Sequence, residues 1–212
     1  MVFVGREKET RQIIRALGKD SNVIITGKFG MGRTKLIRHV SDMCGKWWRF
    51  VFVDFSKTPG QVCTDILTEL SPGKRFINKD QCRRYKTIRH RIATVQNQDA
   101  RPMVLVLDNI GKLTPQRLAL IRYLSWEKRF LFIAVTERFL REDDFFLLRA
   151  ELQPEHVIKL GRISRRDSIA YFHAASERNG FQWELERIRM MAETAGGYPL
   201  SMREMVTREK TA

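Results

Sequence analysis

The 212-residue sequence predicts an α/β fold: a three-layer α-β-α domain around a central, parallel, five-stranded sheet, followed by a small all-helical unit. Three observations predict it. Five short apolar runs alternate with longer amphipathic stretches, the pattern of a parallel sheet covered by helices. Two of these runs, Met103–Leu107 and Phe130–Val135, are apolar at nearly every position, as strands buried on both faces require. Beyond Leu160 the strand pattern stops and helical periodicity takes over.

The predicted strands are Val23–Thr26, Phe50–Phe55, Met103–Asp108, Phe130–Thr136 and Val157–Leu160. Between the third and fourth, Thr114 caps a helix, Pro115 suits its first turn, and Leu118, Ile121 and Leu124 form an inward stripe. Past Leu160, Ser164-Arg-Arg-Asp167 reads as a capping box opening a helix through Ile169, Phe172 and Ser176 that ends near Gly180. A second helix is predicted from Trp183 to Ala195 with Leu185, Ile188 and Met191 inward. Gly196-Gly197 interrupts the chain, and Pro199 starts a last helix through Met202 and Met205. Residues 1–160 and 161–212 are thus expected as an α/β domain and a helical appendage.

Hydrophobic residues make up 43% of the chain, enough for a full core, which excludes general disorder. No apolar run approaches the roughly 18 residues of a membrane span. The start, MVFVGREKE, carries charges where a signal peptide needs an apolar stretch, so a soluble cytoplasmic protein without a membrane partner is expected. Cys44, Cys63 and Cys82 are far apart, and the four histidines show no ligand spacing, so neither a disulfide framework nor a metal held by protein ligands alone is expected. Thirty-nine Lys and Arg against 24 Asp and Glu leave a net charge of +15, a field that attracts polyanions, nucleic acid first among them.

Chemistry concentrates at Gly27-Lys28-Phe29-Gly30-Met31-Gly32-Arg33-Thr34-Lys35, between the first predicted strand and a helix. This is a phosphate-binding loop of the form G-x-x-x-x-G-K-[ST], except that Arg33 stands in the lysine position. Its glycines let backbone N–H groups face phosphate oxygens, and the next helix adds its positive end. Thr34 supplies the hydroxyl expected on Mg²⁺. Arg33 keeps the charge of a lysine with a different geometry, so nucleotide binding can survive while hydrolysis weakens. Asp108 ends an apolar strand, as a Walker B carboxylate holding Mg²⁺ does. Asn109 follows where a glutamate would accept the attacking water's proton, and an amide cannot. Thr136 ends the next strand, where it or Arg138 either senses the γ-phosphate or caps the turn.

These motifs, with Phe3-Val-Gly-Arg-Glu-Lys-Glu ahead of the first strand and Gly196-Gly-Tyr-Pro-Leu-Ser-Met-Arg203 near the end, occur in an order that resembles the AAA+ and STAND ATPases. The nearest look is to the origin-recognition, archaeal-ATPase and transposition-regulator branches. The resemblance implies a P-loop NTPase fold with a C-terminal helical lid and adenine held near Val4-Gly5. It implies a G-x-P lid turn at Gly197 and Pro199, with Arg203 as a lid arginine approaching the γ-phosphate. It also implies ATP or ADP with Mg²⁺ as ligands, and assembly into a homo-oligomer when ATP is bound. An arginine finger acting on a neighbouring subunit belongs to the same pattern, and Arg149 is the candidate. Arg33 and Asn109 depart from the family and point to slow turnover.

Lys74 to Arg91 holds eight basic residues (Lys74, Arg75, Lys79, Arg83, Arg84, Lys86, Arg89 and Arg91) against one acid. Cys82, Tyr85, Ile88, Ile92 and Val95 fall on one helical stripe, which leaves a cationic outer face. That face is either a solvated surface or a contact for the phosphate backbone of DNA or RNA, double-stranded DNA being the first candidate. Lys46-Trp47-Trp48-Arg49 is a second basic and aromatic cluster, whose tryptophans suit a core or an interface better than base stacking. Three functions fit: an ATP-dependent DNA-binding regulator of replication or transposition, a weakly or non-hydrolysing nucleotide switch acting through a protein partner, and a basic nucleic-acid binder with a vestigial loop.

Overall fold

Strands β1 (Val23–Gly27), β2 (Arg49–Asp54), β3 (Met103–Ile110), β4 (Phe130–Glu137) and β5 (His156–Leu160) form one all-parallel sheet in the order β2-β3-β4-β1-β5. The computed structural model describes residues 3–70, 85–94, 99–137 and 139–211. Alternate residues of β3 point to opposite faces, so Val104 and Val106 join one core, and Leu105 and Leu107 the other. Helices α1 (Glu7–Leu17) and α2 (Arg33–Cys44) cover the first face. The second is covered by α3 (Pro59–Leu70), α4 (Tyr85–Thr94), α5 (Pro115–Trp126) and α6 (Glu142–Leu152). Burial on both faces is why β3 and β4 read as continuous apolar runs.

Helices α7 (Arg165–Asn179), α8 (Leu185–Ala195) and α9 (Pro199–Thr211) bury a third cluster of their own around Phe172, Ile188, Met191, Met202 and Val206. Ser164 caps α7 by accepting from the Asp167 amide at 3.1 Å; the Asp167 carboxylate answers the Ser164 hydroxyl, at 2.6 Å, rather than its amide. Thr114 caps α5 as predicted, accepting from Arg117 N–H at 3.3 Å. Two boundaries differ. Trp183 stacks on Phe181 at 4.7 Å, so α8 starts two residues later, and Leu185, expected inward, occupies its first position half exposed. Strand β3 runs past Asp108 to Ile110 through an irregularity at Asn109, whose φ of +60° is a conformation asparagine tolerates.

Cys44 and Cys63 are buried and unbonded, and burial pushes the Cys63 thiol up to about 12. Both should resist alkylation in the folded protein at pH 8 and react on unfolding, which mass-spectrometric mapping of labelled peptides would show. No helix among the described residues is long and apolar enough to cross a membrane.

Candidate nucleotide-binding site

Strand β1 lies between β4 and β5, and the chain leaves its C-terminal end through the glycine loop into α2, so the loop opens where parallel sheets hold ligands. Gly30 and Gly32 have φ of +78° and +83°, a left-handed backbone that a side chain would strain. A Cβ on Gly30 would fall 2.7 Å from the Tyr198 hydroxyl oxygen and 2.8 Å from Leu200, so the start of α9 rests directly on the loop. The Tyr198 hydroxyl also donates to the Phe29 carbonyl. A Cβ on Gly32 would meet nothing within 4 Å, because that side of the loop faces an open cleft.

This cleft lies between the N-terminal segment, the glycine loop and the helices after β5. Phe3 and Val4 form one wall, Met31, Gly32 and Lys35 the floor, and Ile163, Tyr171, Pro199 and Met202 the other wall. Apolar walls above a cationic floor match a ligand with a flat ring and a charged tail. Gly5, at φ +70°, comes so close to Asp167 and Ile163 that a Cβ would meet both at 2.9 Å. Arg6 is buried beside it and donates to the Met31 carbonyl at 3.2 Å and the Gly161 carbonyl at 2.6 Å, which ties the N-terminal segment to loop and sheet.

On the sheet side of the loop, the Thr34 hydroxyl donates to Asp108 Oδ2 at 2.8 Å. Asp108 Oδ1 accepts from the Asn109 amide at 2.9 Å. The Asn109 side chain turns to Asp54 Oδ1 at 3.3 Å, and Asp54 pairs in register with Asp108 at the end of β2. The Ser56 hydroxyl, with its amide and Asn109 adding to it, holds the Asp54 carboxyl below its ordinary range. No three His, Cys, Asp or Glu side chains among the described residues group to hold a metal. Thr34 and Asp108 fit Mg²⁺ only as the two-ligand site of an ion whose other oxygens come from phosphates and water, the usual arrangement for Mg²⁺.

Arg33 lies elsewhere than the motif leads one to expect. Its side chain is 8% exposed and turned into the protein. Nη1 donates to the Gly27 carbonyl at 2.9 Å and the Thr136 carbonyl at 2.5 Å, and Nη2 pairs with Glu137 Oε1 at 2.5 Å. Thr136 contributes that carbonyl, while its hydroxyl is fully buried without a hydrogen-bond partner among the described residues. Arg203 stands on α9, exposed, near enough to Lys35 to act on its charge; burial first, and Arg203 second, lower the Lys35 pKa.

Of the expected site residues, Val4, Met31, Gly32, Lys35 and Pro199 line this cleft and Gly5 packs beside it. Arg203 lines a neighbouring groove with Tyr171, Arg178 and Lys210, and Asp108, bonded to Thr34, lines another with Asp54 and Asn109. Arg149 lines a separate groove with Phe146, Val157 and Lys159 between α6 and β5. In the basic segment, Lys74, Arg75, Lys79, Arg83 and Arg84 lie outside the described residues, as does Arg138. Lys86 falls in α4, whose Ile88 and Ile92 are buried as expected. Arg91, expected on the outer face, is instead half-buried, and so is Arg89, a candidate nucleic-acid contact whose guanidinium lies 4.1 Å above the Tyr123 ring. Trp48 packs on the α2-side core, and Trp47 stands exposed.

Several residues of the site escaped sequence reasoning. Asp54 had a signal, because Val51-Phe-Val-Asp54 ends an apolar strand in an acid just as Val104–Asp108 does. Tyr171, Ile163 and Glu137 had none, since each meets the loop only through tertiary folding.

The sequence model of the AAA ATPase domain family matches residues 2–133, and the chain belongs to that family. No curated protein sequence matches it. Among solved structures it is similar to Orc1 of Aeropyrum pernix, solved in complex with DNA, at TM-score 0.61 and 15% identity over 98% of this chain and 67% of that one. Cdc6p of Pyrobaculum aerophilum gives TM-score 0.64 at 14% identity over 93% and 59% of the two chains. The Holliday junction branch migration motor RuvB of Thermotoga maritima gives 0.64 at 15% over 99% and 63%. At these identities the likeness is one of fold, and the chain spans about three fifths to two thirds of the length of those proteins.

Proposed function

We propose that the chain binds ATP or ADP with Mg²⁺ in the cleft between the glycine loop and α9, and hydrolyses ATP slowly. We place adenine between Phe3-Val4 and Pro199, and the phosphates over the loop toward Lys35 and Arg203. The observation that carries this reading is the Thr34–Asp108 bond at 2.8 Å, which puts a hydroxyl and a carboxylate beside the loop's mouth. A Mg²⁺ held by these two would neutralise phosphate charge. Thr34 and Asp108 hold and orient; Asn109, at the position of a general base, orients water without taking its proton. Slow turnover is the consequence of Asn109 and of the missing lysine.

Asp108→Ala is expected to abolish the Mg²⁺ dependence of nucleotide affinity while leaving Mg²⁺-free binding within about threefold. Titration of a fluorescent ATP analogue with and without EDTA tests it. Persistent Mg²⁺ dependence would count against the assignment.

The DNA part of the proposal rests on the charge of Lys74–Arg91 and takes double-stranded DNA as partner, bound without sequence readout. ATP-linked homo-oligomers, with Arg149 reaching a neighbour's site, would then regulate DNA replication or transposition. Fluorescence anisotropy on a duplex should show affinity falling at least about tenfold between roughly 50 and 200 mM salt, and tightening with ATP and Mg²⁺. Replacing Lys74, Arg75 and Lys79 by Glu should remove most of the binding. Affinity indifferent to salt or to those charges would refute the DNA assignment.

A specific observation favours a second reading. Arg33 is turned into the protein and paired with Glu137, and Asn109 is bonded to Asp54, which suits a non-hydrolysing switch acting through a protein partner. Mg²⁺-dependent turnover abolished by Asp108→Ala would eliminate it.

A further inference from the structure

We infer that the phosphate-binding cation of this loop is Lys35, and that Arg33 is an internal pin rather than a ligand to nucleotide. This deepens the proposed nucleotide site and rests on it.

Helical geometry separates the two side chains. Arg33 and Lys35 are two residues apart in α2, about 200° around its axis, so they leave the helix on nearly opposite sides. Arg33 goes toward β4 and Lys35 toward α9. A planar guanidinium with two forked nitrogens can satisfy the two carbonyls and the carboxylate that meet it, and a lysine ammonium cannot span that set. With both terminal nitrogens committed and its charge answered by Glu137, Arg33 could reach a phosphate only by abandoning a partly buried ion pair and leaving that carboxylate uncompensated.

Lys35 has the opposite character. It lines the cleft floor, half-buried, with no hydrogen bond or ion pair to any described residue, and its strongest charged neighbour is the cation Arg203. Arg203 likewise has no carboxylate partner among the described residues. Lys35, partly stripped of water in the cleft and repelled by Arg203 nearby, has no countercharge among the described residues until an anion enters. Polyphosphate is the ligand class that resolves this repulsion, and the neighbouring loop amides at the positive end of α2 favour the same charge. The position of the cation in the motif has moved two residues on, which accounts for a loop that keeps its glycines and threonine while losing its lysine.

The test compares Lys35→Met, Glu137→Gln and the double variant Arg33→Met/Glu137→Gln, using ATP binding by calorimetry and thermal melting without nucleotide. Lys35→Met should weaken ATP binding at least about tenfold. It should melt no lower than the native chain, because Lys35 has no partner to lose. The double variant should melt lower yet bind ATP within about threefold of native at a temperature where it is folded. Should it fail to fold, Glu137→Gln decides: a liberated Arg33 would tighten ATP binding if it were the phosphate ligand, and leaves it unchanged if it is a pin. The inference is overturned if Lys35→Met binds ATP as the native chain does, or if Glu137→Gln tightens binding about tenfold or more. Failure of the native chain itself to bind ATP would overturn the nucleotide site as a whole, and this assignment with it.

Discussion

Arg33→Met should lower the unfolding free energy by about 3 kcal/mol, among the largest losses available to one substitution outside the apolar cores. The guanidinium supplies three bonds at once. Without it the Gly27 and Thr136 carbonyls lose a buried donor, and the Glu137 carboxylate keeps a charge with its countercharge gone. Glu137 retains 27% exposure of its side chain, so water offsets part of this cost, and the loss sits at the low end for a broken buried pair. For a chain of this length it corresponds to a fall in melting temperature of about 6–12 °C. Adding Glu137→Gln should restore a measurable part of it, because the uncompensated charge goes. A double-mutant cycle in urea therefore separates the ion pair from the two carbonyl bonds. A loss below about 1 kcal/mol for Arg33→Met would mean that water or a neighbouring cation replaces the guanidinium, and that the pin is weak.

The motif dictates the backbone of the loop far better than it dictates this side chain. Gly30 and Gly32 adopt the left-handed conformation that only glycine adopts freely, so the spacing of glycines translates almost directly into geometry. The direction of Arg33 depends on Glu137, 104 residues away in sequence and adjacent only because β4 pairs with β1. The same contrast runs through the fold. Strands β3 and β4 are legible because burial on both faces leaves no polar position, and α5 because Thr114 and Pro115 mark its start locally. Thr136 misleads, for it ends a strand where a polar residue suggests a site, yet the sheet closes over its hydroxyl. Leu185 misleads in the other direction: Trp183 consumes the turn before α8 and leaves the leucine at the helix's first position, off the inward stripe. Arg89 shows the limit of a charge count, since its stem and guanidinium lie along Tyr123 rather than on an open cationic face.

Gly197→Ala should detach the start of α9 from the loop and weaken nucleotide binding at least about tenfold, with no ligand-contacting side chain altered. Gly197 has φ +71°, and a Cβ there would fall 2.1 Å from the Ile163 carbonyl oxygen, an overlap no rotamer can relieve because both partners are backbone. The same glycine accepts from the Ile163 amide at 2.8 Å, so the clash lies on the bond that holds this turn against the entry to α7. Relief requires residue 197 to move away, and its successors in the chain move with it: Tyr198, which bonds the Phe29 carbonyl, then Pro199 and Met202 in the cleft wall, then Arg203. The left-handed conformation alone costs an alanine about 1–3 kcal/mol, and the overlap adds to it. Hydrogen exchange should show faster exchange at the start of α9 with β1 and β4 unchanged, since those strands draw their burial from the other two cores. Gly60→Ala is the control: a Cβ there meets nothing within 4 Å, the residue sits in the first turn of α3, and nucleotide affinity should stay within about threefold. If Gly197→Ala and Gly60→Ala bind nucleotide equally well, the contact between α9 and the loop does not govern the site.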